Sequence, residues 1–165
     1  MTRSAIAAVI GTSHRLAPWL AELLERHRVS VERGGGIWCC SPEARVIVVP
    51  PDPITTDHGA ATVLHEYGHI VFESGAPVGS IRNEVCAWMV AMVVAGPRWT
   101  PAMTTTMARA LGAYAVDDRS ATPDERRLVA EAVAYGCVVA APRSHESVSV
   151  SPLFAELLEE IRRSV

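Results

Sequence analysis

The chain has 165 residues, 49% of them hydrophobic, and a formal net charge of −3. That length can bury a real core without staples and suits one domain, or one domain with a small appendage. All 15 basic residues are Arg and they are scattered, so with a pI near 6.1 and no basic stripe the composition argues against direct binding of nucleic acid.

In chain order, residues 5–11 are faintly like a signal peptide. The apolar stretch is short, however, and no small-x-small cleavage site follows before His14 and Arg15. The apolar run at residues 85–96 is too short for a bilayer, which needs about 20 residues. Four Cys offer no disulfide framework, because Cys39 and Cys40 are adjacent and Cys86 and Cys137 lie in apolar helical contexts. The chain therefore reads as cytoplasmic, with no membrane partner.

A first helix starts near Pro18, with Trp19, Leu20, Leu23 and Leu24 on one face. Three strand-like runs follow at 29–32, 37–40 and 46–49. Gly34-Gly35-Gly36 and residues 41–44 separate them, which predicts a small antiparallel meander. Pro50, Pro51 and Pro53 break that pattern. A helix is expected over 57–73, capped by Thr55, Thr56 or Asp57, and another over 81–95, ended by Gly96-Pro97. The remaining third reads as helices: 103–116, one opened by Thr122-Pro123-Asp124-Glu125, and an amphipathic one opened by Ser151-Pro152. The fold class expected is α+β. Residues 1–97 form the core and 98–165 a helical segment packed on it.

The chemistry lies in His65-Glu66-Tyr67-Gly68-His69. Helical residues four apart stand one above the other, so both imidazoles can reach one tetrahedral metal ion. Glu66 is one position round and can reach a water on that metal without ligating it. A bound zinc brings the water's pKa toward ~7, and a carboxylate can then take its proton. This is the H-E-x-x-H pattern of zinc peptidases. Composition alone would produce it by chance in roughly 2% of such chains, so context matters. Here Val63, Leu64, Ile70, Val71 and Phe72 make the helix a buried one, where two His and a Glu need partners. Gly68 costs about 1 kcal/mol inside a helix, which makes sense where a neighbouring element comes close.

A third ligand is needed. Glu73 lies roughly 6 Å further along the axis than His69. The metzincin pattern is absent, since Phe72 and Gly75 stand where it requires Gly and His. Glu84 is the better choice, because a helix hairpin would bring it back to the metal. Its plain alternative is an acid in the first turn that stabilises the helix dipole. His58 and Asn83 are candidates for supporting this cluster, although a solvent-facing role suits a first-turn His58 better. His145, Tyr114 and Tyr135 are candidates to donate a hydrogen bond to the reacting carbonyl, and the sequence does not choose among them. Tyr67 and the four Trp are expected to pack, the four Cys to fill apolar space, and His14 and His27 to lie at the surface.

The strand-like runs at 37–40 and 46–49, the segment Thr62-Val63-Leu64-His65-Glu66-Tyr67-Gly68-His69, and Glu84 on an apolar helix ending at Pro97 resemble the ImmA/IrrE family of small gluzincin-type metallopeptidases. The resemblance covers about residues 16 to 97, and Asn83-Glu84 followed by Ala87 is similar to the gluzincin glutamate helix. It implies a zincin-like fold and a zinc-dependent intracellular peptidase. His65, His69 and Glu84 would be its zinc ligands and Glu66 its general base. Members often act on a helix-turn-helix repressor, so it implies a protein substrate of that kind. The alternative is a zinc-binding regulatory protein that binds its partner without cutting it.

Overall fold

The computed structural model describes residues 2–36, 38–52, 54–117, 121–141 and 148–165, without the side chains of 116 and 117. Among them are seven helices and one small mixed sheet, an α+β fold. The helices are α1 (Arg3–Ile10), α2 (Ala17–Arg26), α3 (Asp57–Val71), α4 (Ile81–Ala95), α5 (Pro101–Asp117), α6 (Pro123–Ala140) and α7 (Pro152–Ser164). The strands are β1 (Ser30–Arg33), β2 (Cys39–Ser41) and β3 (Val46–Val49).

α4 sits at the centre. It is apolar nearly all round, as a helix buried on every side must be, and Val85 to Met92 are all buried. α3, α5, α6 and α7 pack around it. Local chemistry starts these helices where the sequence indicates. Thr56 accepts a hydrogen bond from the Gly59 N–H and Ser80 from the Asn83 N–H. Thr122 and Glu125 form a reciprocal capping box. The segment after residue 97 packs on the core: α5 lies against α3, and α6 and α7 lie against α4.

The sheet differs from the expected antiparallel meander. Its order is β1-β3-β2, with β1 parallel to β3 (Ser30 opposite Val46) and β2 antiparallel to it (Cys39 opposite Val48). β3 is four β-branched residues, which suit a strand paired on both edges, and Ile47 and Val49 point into the core. β3 therefore takes the central place, and β2 goes to the far side of β3 from β1, beside α3.

Residues 3–10, which have a weak signal-like pattern, form α1. Ile6 and Ile10 are fully buried against α2 and β1. The Glu25 carboxylate accepts from the Arg3 N–H, and the Ile10 carbonyl from the Ile54 N–H. No helix among the described residues is long and apolar enough to cross a membrane.

Candidate metal centre

His65 and His69 stand on one face of α3, as their spacing requires, with ring centroids 4.6 Å apart and Nε2 atoms 3.2 Å apart. Glu84, in the first turn of α4, faces them. Its Oε2 is 3.2 Å from His65 Nε2 and its Oε1 3.6 Å from His69 Nε2. All the donor atoms lie within 4.8 Å of one another, so the three residues can hold a metal ion. His65 and Glu84 are buried and His69 is half-buried.

Gly68 makes this meeting possible. A Cβ there would sit 2.9 Å from the Ala87 Cα and closer still to the Ala87 carbonyl oxygen. Both are backbone atoms of α4 and cannot swing aside. The two helices thus touch backbone to backbone beside the cluster, and Glu84 lies one turn before Ala87. The close approach that Gly68 suggested is this contact.

The donor set fits a cation. Two imidazole nitrogens and a carboxylate converge on one point, and lone pairs so placed repel unless a proton or a positive ion lies among them. Burial opposes ionisation of Glu84, but hydrogen bonds and charge from His65 and His69 outweigh it and hold the carboxyl down at about 2. The His65 ring lies on Trp88, with centroids 4.3 Å apart and planes 24° apart. That stack fixes the ring's tilt from α4. His65 Nδ1 is buried without a hydrogen-bond partner.

Glu66 is buried, 8% exposed, at the side of the cluster. Its neighbour from the sheet is Cys40, whose thiol feels the Glu66 carboxylate directly. Burial first, and then the Glu66 charge, push that thiol well above its ordinary value, so it stays protonated. Cys40 is therefore more than the apolar filler expected. No spacing signal links residues 40 and 66, so only the position of β2 against α3 reveals the pair.

The remaining candidates separate clearly. Tyr114 on α5 lines the cleft beside His65 and Glu84. Burial, and then the Glu84 and Glu66 charges, raise its hydroxyl above the usual value. Tyr135 is elsewhere, packed on Phe154 and accepting from Arg162. His145 lies outside the described residues. Asn83 donates to Ser74 Oγ at 2.9 Å, which ties down the α3–α4 loop rather than the cluster. His58 is exposed, as a first-turn His should be, with Nδ1 3.3 Å from Thr106 Oγ1. Tyr67 is fully buried, with its ring edge-on to half-buried His27.

His14 is not at the surface as expected. It is 7% exposed, and its Nε2 is 3.0 Å from Asp57 Oδ1. Asp57 also receives Arg15 at 3.2 Å and the Thr100 hydroxyl at 2.6 Å. These partners are about 40 residues from Asp57, which is why no local pattern announces them.

The cleft has two lobes, about 780 and about 1040 Å³, and His65, Glu84, Trp38 and Tyr114 border both. The cluster therefore stands where the lobes meet, open to a molecule lying across it. Compared with family models, with curated proteins and with solved structures, the chain matches none of them.

Proposed function

We propose that the chain is a zinc-dependent peptidase with a zincin-like arrangement, as its resemblance to the ImmA/IrrE family implies. The observation that carries this reading is the convergence of two imidazole nitrogens and a carboxylate at the junction of a two-lobed cleft, with a second buried carboxylate, Glu66, alongside. A purely structural metal site needs neither the cleft nor Glu66.

His65, His69 and Glu84 would hold the ion. When bound, zinc supplies Lewis acidity for the scissile carbonyl and for an attacking water. Glu66 is the chain's own base. Its carboxylate takes the proton of the attacking water and returns it to the leaving amine nitrogen. The Cys40 thiol, held protonated beside that carboxylate, is the neighbour that would orient it. The Tyr114 hydroxyl, kept protonated at neutral pH, donates to the carbonyl oxygen as negative charge develops there. The substrate is a peptide segment of a protein. A helix-turn-helix repressor is the partner that the family resemblance supports, and the cytoplasm is the compartment that goes with it.

The test is Glu66→Gln. The variant should bind one zinc per chain like the wild type and lose peptide hydrolysis by about 10²–10⁴-fold. A variant that keeps both the metal and the biological effect would instead make the protein a partner-binding regulator. A wild-type protein that takes up no zinc and whose melting temperature ignores added zinc would end the reading altogether.

A further inference from the structure

The two lobes differ in charge. The first, between α3 and α5, carries Arg109, the one Arg among the described residues that line either lobe. The second, between β2 and the α3–α4 loop, carries Glu43 and Glu73 on its rim. All three are exposed, and none makes an ion pair or a side-chain hydrogen bond within the described chain. Asp57 also borders the first lobe, but His14, Arg15 and Thr100 already engage its carboxylate. One end of the cleft thus presents an unanswered cation and the other two unanswered carboxylates, with the metal ligands between them.

We infer that the cleft selects peptides by the order of their charges: a carboxylate of the substrate lies on the Arg109 side of the metal ligands, and a basic side chain on the Glu43 and Glu73 side. The inference rests on the peptide cleft proposed above. The carboxylate has two sources, an Asp or Glu side chain or the C-terminus of the substrate chain. Arg suits either, since its guanidinium forks onto both oxygens.

The test uses full-length, zinc-loaded protein carrying Glu66→Gln, so that binding is read without cleavage. Trp38 borders both lobes and reports occupancy through its fluorescence. Three peptides are titrated: one with an acidic and a basic residue separated by a neutral stretch, the same composition in reversed order, and a neutral one. Each is made with a free and with an amidated C-terminus. One charge order should bind about tenfold tighter than the other at low salt, and the ratio should shrink as salt screens exposed charges. Adding R109E, E43K and E73K should exchange the two preferences. If amidation removes the preference, the chain terminus is the carboxylate; if it does not, the side chain is. Equal binding of both orders, binding of none, or a preference untouched by the triple reversal would overturn the inference. Wild-type hydrolysis without charge order would overturn it while leaving the peptidase reading in place. Ordered binding by Glu66→Gln with no wild-type hydrolysis would do the reverse.

Discussion

Two histidine–carboxylate clusters stand on α3, about 12 Å apart along its axis. At the N-terminal end, Asp57 meets His14 at 3.0 Å. In the middle, Glu84 of α4 meets His65 at 3.2 Å. The distances are nearly the same and the arithmetic of donors is not. Asp57 receives donors from His14, Arg15 and Thr100, and the Leu16 N–H approaches His14 Nδ1 at 3.3 Å, which leaves Nε2 as the protonated nitrogen. Every lone pair there is answered, and the cluster ties α1–α2, α3 and the start of α5 together. At Glu84 two imidazole nitrogens point at each other and at a carboxylate, with Tyr114 alongside, and a cleft opens beside them. A satisfied cluster is a junction; a cluster with converging, unanswered lone pairs is a place for a cation.

The largest expected effect separates the two directly. His65→Ala or Glu84→Ala should lower zinc affinity by at least about 100-fold, beyond the 10–100-fold cost of disturbing a partner outside the ligand set, and abolish hydrolysis. Asp57→Ala should leave zinc binding intact while lowering the melting temperature. Competition against a chromogenic chelator reads the first and thermal melting the second. If Asp57→Ala also loses zinc, the two clusters are not separate devices.

Gly68→Ala comes next. Its Cβ collides with the α4 backbone at Ala87, so the helices must part. The expected cost is about 1–3 kcal/mol of stability, as for other overpacked sites, with weakened zinc binding because Glu84 moves with α4. Equal stability in urea melts would show that the close contact carries no strain.

Tyr114→Phe tests the donor on the proposed reading. It should lower kcat about tenfold or more, since a single donor to a developing oxyanion can be worth 10²–10³-fold, and leave zinc content unchanged. Tyr135→Phe, between α6 and α7, should leave kcat as it is.

The smallest effect is the acid dependence of the junction. Burial works against ionisation of Asp57, but Thr100, His14 and Arg15 outweigh it and hold its carboxyl below the usual value. A lowered folded-state value means that stability is present above the ordinary Asp value of about 3.9. It is lost as pH falls through the folded value. Asp57→Asn should cost about 1–3 kcal/mol at neutral pH and should flatten the fall of melting temperature below about pH 4.

Much of the fold was legible because helices announce themselves locally. The cap at Thr56, the span of α4 and the capping box at Thr122 all follow from neighbours in sequence. The placement of Glu84 facing His65 and His69 follows from two helices and a short turn. What was not legible depends on distant pairings. The parallel partnership of β1 with β3 hides behind a Gly-rich turn that looks like a hairpin, and α1 is short enough to look like something else. Cys40 beside Glu66, His14 beside Asp57 and Tyr114 beside Glu84 are tertiary meetings with no spacing to reveal them.

The backbone contact at Gly68 has a consequence for how an ion would be taken up. The ligands stand on two fifteen-residue helices whose other faces fill the core. Folding that core has already fixed their spacing. Little conformational entropy is left to lose when an ion arrives, unlike the case of a zinc finger, where metal and fold form together. A chelator should therefore lower the melting temperature through mass action alone and leave a folded chain, with its far-ultraviolet dichroism intact, ready to take the ion back.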